Sequence, residues 1–185
     1  MKIAVYSGTF NPLHKGHLAI MRHLTEEAGF DEVYLIVTPT NPFKEGKKQP
    51  SGEERYQAAV QAVRRHPELK VKVLDIELRM PPPQYTVKTL DALQEEEPQN
   101  EFTLVIGADN LASFQGWREH GRILKEYGVV VFPRKGYHRG HDKARLLRED
   151  PTFRIGLLRA PLVTISSTRI REGQAQGKDM SYWFM

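Results

Sequence analysis

The chain has 185 residues, 39% hydrophobic and 27% charged, and its 27 basic and 23 acidic side chains leave a net charge of +4. That length builds a core without a covalent staple, and the lack of cysteine excludes a disulfide framework, a thiolate metal cluster and a cysteine nucleophile. No apolar run approaches the roughly 20 residues that cross a bilayer, and the N-terminus lacks the pattern of a signal peptide, so the expected location is the cytoplasm.

Residues 2–6 read as a buried strand that runs into Ser7-Gly8-Thr9. Leu18, Met21, His23, Leu24 and Ala28 recur at helical spacing, which predicts a helix over 17–29 with Gly29 as its stop. Residues 33–37 are a second apolar strand, and strand–helix–strand order argues for a parallel sheet. Pro39, Pro42, Gly46 and Pro50 make 38–50 an exposed loop. Ser51 and Glu54 fit a capping box for a helix to about Arg65, with Tyr56, Ala59, Val60 and Val63 on its apolar side. A third strand covers 70–76, after which Pro81, Pro82 and Pro83 exclude regular structure. Val87, Leu90 and Leu93 predict a helix over 86–96. Residues 102–106 form a strand that turns at Gly107-Ala108-Asp109, followed by a helix at 120–127 and strands at 129–132 and 154–158. Ser166-Ser167-Thr168 caps a last helical segment. The basic stretch from Arg134 to Arg148, with Lys135, Arg139, Lys143 and Arg145, is either a solvated surface or a nucleic-acid stripe. The modest charge excess suits phosphorylated small molecules better than nucleic acid. Without repeat or linker, the expectation is one three-layer, Rossmann-like α/β domain over 1–185, with a parallel sheet of five or six strands.

Ligands of an open parallel sheet bind beyond the carboxyl ends of its strands, where the informative clusters fall. In Gly8-Thr9-Phe10-Asn11-Pro12-Leu13-His14-Lys15-Gly16-His17, Gly8 permits a tight turn and close ligand approach. If His17 opens the helix, its ring and free backbone donors face an anion. The two imidazoles could donate to phosphate oxygens or gain charge as the transition state does; they could equally be structural. Zinc usually wants three protein ligands, and no third is obvious, so no metal site is expected. Neither phosphate-loop nor dinucleotide glycine pattern is present. In Thr164-Ile165-Ser166-Ser167-Thr168-Arg169-Ile170-Arg171, hydroxyls precede a helix start, either as caps or as phosphate donors. Arg169 in the first turn is unfavourable unless an anion sits nearby. Lys44 could swing over a phosphate or simply be solvated. Asp109 could accept from a ribose hydroxyl or make an Asx turn or cap, and Trp117 could stack on a ring or lie in the core.

The two strings together resemble the nucleotidyltransferases with an HxGH motif and a C-terminal SSTxxR-like motif, most closely bacterial nicotinate-nucleotide adenylyltransferase. The resemblance extends to 39–44, Tyr85-Thr86, 106–109 with Trp117, and Phe132-Pro133-Arg134. It implies a nucleotidyltransferase fold, a reaction of ATP with nicotinate mononucleotide giving deamido-NAD and pyrophosphate, and Mg²⁺ accompanying ATP. It further implies that His14, His17, Lys44 and Arg169 act on the phosphates. Gly8, Thr9, Phe10, Gly107, Asp109, Ile165, Ser167 and Thr168 would frame the rest of ATP; Lys44, Tyr85, Thr86, Trp117 and Arg134 would serve the acceptor. The chain departs from the family pattern at Val87-Lys88, where an aspartate usually follows Tyr-Thr, and at 80–84, which leaves nicotinamide mononucleotide or another phosphorylated acceptor as alternatives. A non-catalytic ATP- or RNA-binding regulator is the alternative of another class. The family normally continues into a further helix beyond Met185, and the aromatic end, Tyr182-Trp183-Phe184-Met185, is a candidate subunit interface for a homo-oligomer.

Overall fold

The computed structural model describes residues 1–40 and 49–185. Six strands, β1 (Lys2–Gly8), β2 (Glu32–Val37), β3 (Val71–Leu74), β4 (Glu101–Gly107), β5 (Val129–Phe132) and β6 (Ile155–Leu157), form one parallel sheet in the order β3-β2-β1-β4-β5-β6. Burial on both faces explains the unbroken apolar runs of the inner strands. Ile3 and Val5 point to one side with Tyr34, Ile36, Leu104 and Ile106, whereas Ala4 and Tyr6 point to the other with Val33, Leu35 and Val105.

Helices cover both faces. α1 (Lys15–Glu26) and α2 (Gly52–Arg64) pack on the second side through Leu18, Ile20, Met21, Leu24, Ala59 and Ala62. α3 (Thr86–Glu96) and the short α4 (Ala108–Ala112) cover the first, with Val87, Leu90, Leu93 and Leu111 buried against the sheet. Beyond them, α5 (His120–Arg122) opens into a π turn at Ile123–Tyr127, and α6 (Arg139–Glu149) buries Leu146 on the same face. α7 (Ser167–Ala175) follows the last strand. Among the described residues no helix is long and apolar enough to cross a membrane.

The three-layer expectation holds, with six strands, and four local readings change. α1 begins two residues earlier than expected, because His14 caps it, and ends at Glu26 with Glu27 as its C-cap, short of Gly29. Tyr56, Ala59 and Val63 do pack on the core as expected, but the fully buried stripe of α2 is Arg55, Ala59 and Ala62, since Arg55 finds backbone acceptors inside. The third strand stops at Leu74 and gives way to a 3₁₀ turn at Ile76–Leu78. The aromatic end folds partly back on its own chain: Phe184 bridges to His14 and Met185 is 6% exposed, while Tyr182 remains 69% exposed.

Candidate active site

The strand order reverses direction between β1 and β4, and the crevice outside such a switch point is where open α/β sheets bind ligands. A cavity of about 190 Å³ opens there, walled by Ser7–Phe10, Val105–Gly107, Phe132, Arg134, Asn110, Ser167 and His17. Phe10 takes a left-handed φ of +46°. Its ring lies edge-on to Tyr6 at 5.4 Å and to His17 at 5.1 Å. Gly8 closes β1 without a positive φ, so the expected turn geometry is not what favours glycine; a Cβ there would come to 3.0 Å of the Phe10 ring, and close packing favours its absence.

The histidine pair is built from the helix start. The backbone N–H of Gly16 donates to His14 Nδ1 at 3.0 Å, and the backbone N–H of His14 donates to His17 Nδ1 at 3.1 Å. This is a capping box made with imidazoles instead of the usual hydroxyl and carboxamide. Two consequences follow from the acceptor role of both Nδ1 atoms. Neutral rings must carry their proton on Nε2, so each offers an N–H donor without bearing charge. Protonating Nδ1 would break the cap. Burial, and then the Arg134 charge, holds His14 down at about 4. Burial, then His14, then Arg134 hold His17 well below the usual imidazole value. The rings stack at 3.7 Å between centroids. His17 lines the cavity and His14, 3% exposed, lies against it. Of the two actions the sequence left open, the geometry favours neutral donation over gain of charge.

The second string docks on the first. Ser166 Oγ accepts from the Arg169 backbone N–H at 3.1 Å and so caps α7. Ser167 Oγ donates to the Pro12 carbonyl at 2.8 Å, and the Arg171 guanidinium donates to the Asn11 carbonyl. The two strings are therefore neighbours in space. Arg171, quoted in the motif but given no role, is one of the two side chains that join them.

Arg134 approaches Asp109 Oδ1 at 3.7 Å. Arg134 Nε, Asp109 Oδ1 and Ser7 Oγ are all buried without a hydrogen-bond partner. Buried polar atoms are rarely left unpaired, and Ser7 and Arg134 both wall this cavity.

Several expected residues sit apart from that cavity. Ile165 and Arg169 line a neighbouring cavity of about 460 Å³ behind the start of α7, and Arg169 Nη1 donates to the Thr164 carbonyl at 3.3 Å. Thr168 is exposed beside Arg171, which donates to its Oγ1 at 3.3 Å. Tyr85 and Thr86 stand at the uncapped start of α3 on the opposite face of the sheet. Trp117 packs on that same hydrophobic cluster, stacked on Phe114 at 4.7 Å. Lys44 lies outside the described residues. Tyr6 and Asn110 were not foreseen in the cavity wall, nor Arg55 behind it; a strand tyrosine, an asparagine and an arginine inside a helix carry no local signal for it.

The family model described as cytidylyltransferase-like matches residues 5–173. A Bacteroides fragilis protein described as a probable nicotinate-nucleotide adenylyltransferase is 41% identical over 182 residues, covering 98% of this chain and 86% of that protein. One of the same description from Flavobacterium johnsoniae is 38% identical over 180 residues, covering 97% of this chain and 90% of that protein. The solved Plasmodium falciparum nicotinic acid mononucleotide adenylyltransferase complexed with NaAD superposes with a TM-score of 0.74 at 17% identity, over 97% of this chain and 87% of that one. At that identity the likeness speaks for the fold.

Proposed function

The chain belongs to the cytidylyltransferase-like family and, within it, to the nicotinate-nucleotide adenylyltransferases, and on that premise we propose that it joins ATP to nicotinate mononucleotide, releasing pyrophosphate and deamido-NAD. The observation that carries the reading is the neutral Nε2–H donor of His17, backed by the stacked His14 ring, in the cavity that Arg134 and the unpaired Ser7 Oγ also wall at the β1/β4 switch point. A phosphate oxygen of the acceptor attacks the α-phosphorus of ATP in line. The new P–O bond forms as the bond to the bridging α–β oxygen breaks, and pyrophosphate leaves with that electron pair. No enzyme nucleophile is needed, because the acceptor phosphate already is one. Alignment and donors aimed at the developing charge supply the catalysis. His17 donates to the phosphates, His14 backs it, Arg134 adds positive charge, and Asp109 meets the ribose.

Lys44 and Arg169 are assigned to the phosphates on the family resemblance. Mg²⁺ would be carried by the ATP phosphates and water. Bound there it would offset charge on the departing pyrophosphate. Thr86 and Trp117 frame the pyridine ring. Lys88 Nζ lies 5.5 Å and the Arg118 guanidinium 4.6 Å from the Tyr85 ring centroid. Two cations beside that segment support a carboxylate-bearing ring over a carboxamide. The RNA reading loses ground because Arg139 donates to the Val131 and Leu158 carbonyls, at 2.5 and 2.6 Å, and Arg145 to that of Ala112 at 3.1 Å. We read 1–185 as one catalytic domain that works in the cytoplasm, where its ATP is.

Pyrophosphate release from ATP tests this, with nicotinate mononucleotide, nicotinamide mononucleotide, phosphopantetheine and glycerol phosphate in parallel. The expected result is turnover with nicotinate mononucleotide at least tenfold above the others; equal or greater turnover with another acceptor would refute the substrate, and turnover with none, the reaction.

A further inference from the structure

Arg55 is 2% exposed, in the second turn of α2. A single nitrogen, Nη1, donates to both the Thr9 carbonyl, at 2.7 Å, and the Thr38 carbonyl, at 2.8 Å. These carbonyls lie just past the ends of β1 and β2, and the Thr38 N–H donates to the Gly8 carbonyl at 2.8 Å in between. Arg55 Nε and Nη2 have no partner, and no carboxylate pairs with the guanidinium among the described residues. Burial pulls its pKa below the usual arginine value. Burying an unneutralised cation is costly, and an apolar side chain of similar length would fill the space without that cost. What an apolar side chain could not do is hold two loop carbonyls at a fixed spacing. One of them belongs to Thr9, in the wall of the cavity that holds His17.

We propose that Arg55 is a positioning residue for adenylyl transfer, clamping the carbonyl ends of β1 and β2 so that the 8–10 wall is held in register with the chain leaving β2. It touches neither substrate; it acts through Thr9 and Thr38. The inference rests on the adenylyl-transfer reading, and misplacing reacting groups by about 1 Å costs about a hundredfold in rate.

The test compares wild type with Arg55→Met, which removes the donors, and Arg55→Lys, which keeps the charge on a shorter arm. The calorimetric Kd for ATP and kcat for pyrophosphate release are measured at 25 °C, and the melting temperature is taken from a thermal scan. The expected result for Arg55→Met is a fall in kcat of about tenfold or more and a weaker ATP Kd by about fivefold. Arg55→Lys should fall between it and wild type. A merely structural arginine would lower the melting temperature and leave both other readouts within about twofold of wild type, and that result would overturn the proposal. Should Arg55→Met not fold, Arg55→Lys decides alone: a kcat reduced about threefold or more upholds the clamp, and parity with wild type overturns it. If the wild-type chain binds ATP without turning over, the functional reading fails on its own, while the Kd series still decides on Arg55.

Discussion

At the scale of single residues, the two histidines divide structural and chemical work between their ring nitrogens. Nδ1 of each receives a backbone donor and holds the start of α1, and Nε2 of His17, which lines the cavity, is the donor proposed to meet the ligand. Asparagine places an acceptor where Nδ1 stands and has nothing at Nε2. His17→Asn should therefore lower kcat about a hundredfold with the melting temperature within about 2 °C of wild type. Near-normal turnover would remove His17 from the chemistry. The same geometry sets a pH dependence. An unfolded chain takes up protons on both rings near 6.5, whereas folded His14 does so only near about 4 and His17 also well below its ordinary value. Stability gained from keeping these rings neutral is whole above about pH 6.5 and falls as pH drops toward 4, the His14 share by about 3 kcal/mol. Urea unfolding between pH 8 and 4 should show this slope, and His14→Asn should flatten part of it; identical slopes would mean that His14 is not held neutral.

At the scale of elements, the tight start of α1 is what aims the pair. A Cβ on Gly16 would meet Val163 at 2.3 Å and the His14 ring at 2.8 Å. Gly16→Ala should cost about 1–3 kcal/mol in urea unfolding and also reduce kcat. Adding Val163→Ala should recover part of the stability but not turnover, because the contact with the ring persists; full recovery of both would mean that His14 need not be so placed. This start was misread because imidazole is not among the usual capping side chains, so the pattern pointed to His17 instead of His14. Strands and long helices were legible because burial repeats along them. Val87, Leu90 and Leu93 gave α3, and the runs at 33–37 and 102–106 gave inner strands. The five-residue α4 and the π turn at Ile123–Tyr127 are too short for any periodicity to mark them. Arg55 was hidden because a charge within a helix reads as surface until its acceptors are seen.

At the scale of the whole molecule, the two candidate strings, 155 residues apart, meet at one end of a continuous sheet, and the proposed site draws on both. The sequence marked both strings as phosphate-binding candidates, yet could not say that Ser167 reaches Pro12, 155 residues earlier, or which cavity Arg169 faces. ATP bound at the switch point would contact both ends, so it should slow amide hydrogen exchange in 8–17 and 165–171 together. It should also stabilise the fold by about 2.7 kcal/mol at a hundredfold excess over Kd. Slowing confined to one string would mean that the site is not shared. The most direct test follows the transferred atom itself. ATP labelled at the α-phosphorus is supplied with nicotinate mononucleotide, and product and pyrophosphate are separated. The expected result is label in the dinucleotide, one unlabelled pyrophosphate for each, and no label on the protein; label appearing as free AMP or on the chain would contradict direct adenylyl transfer.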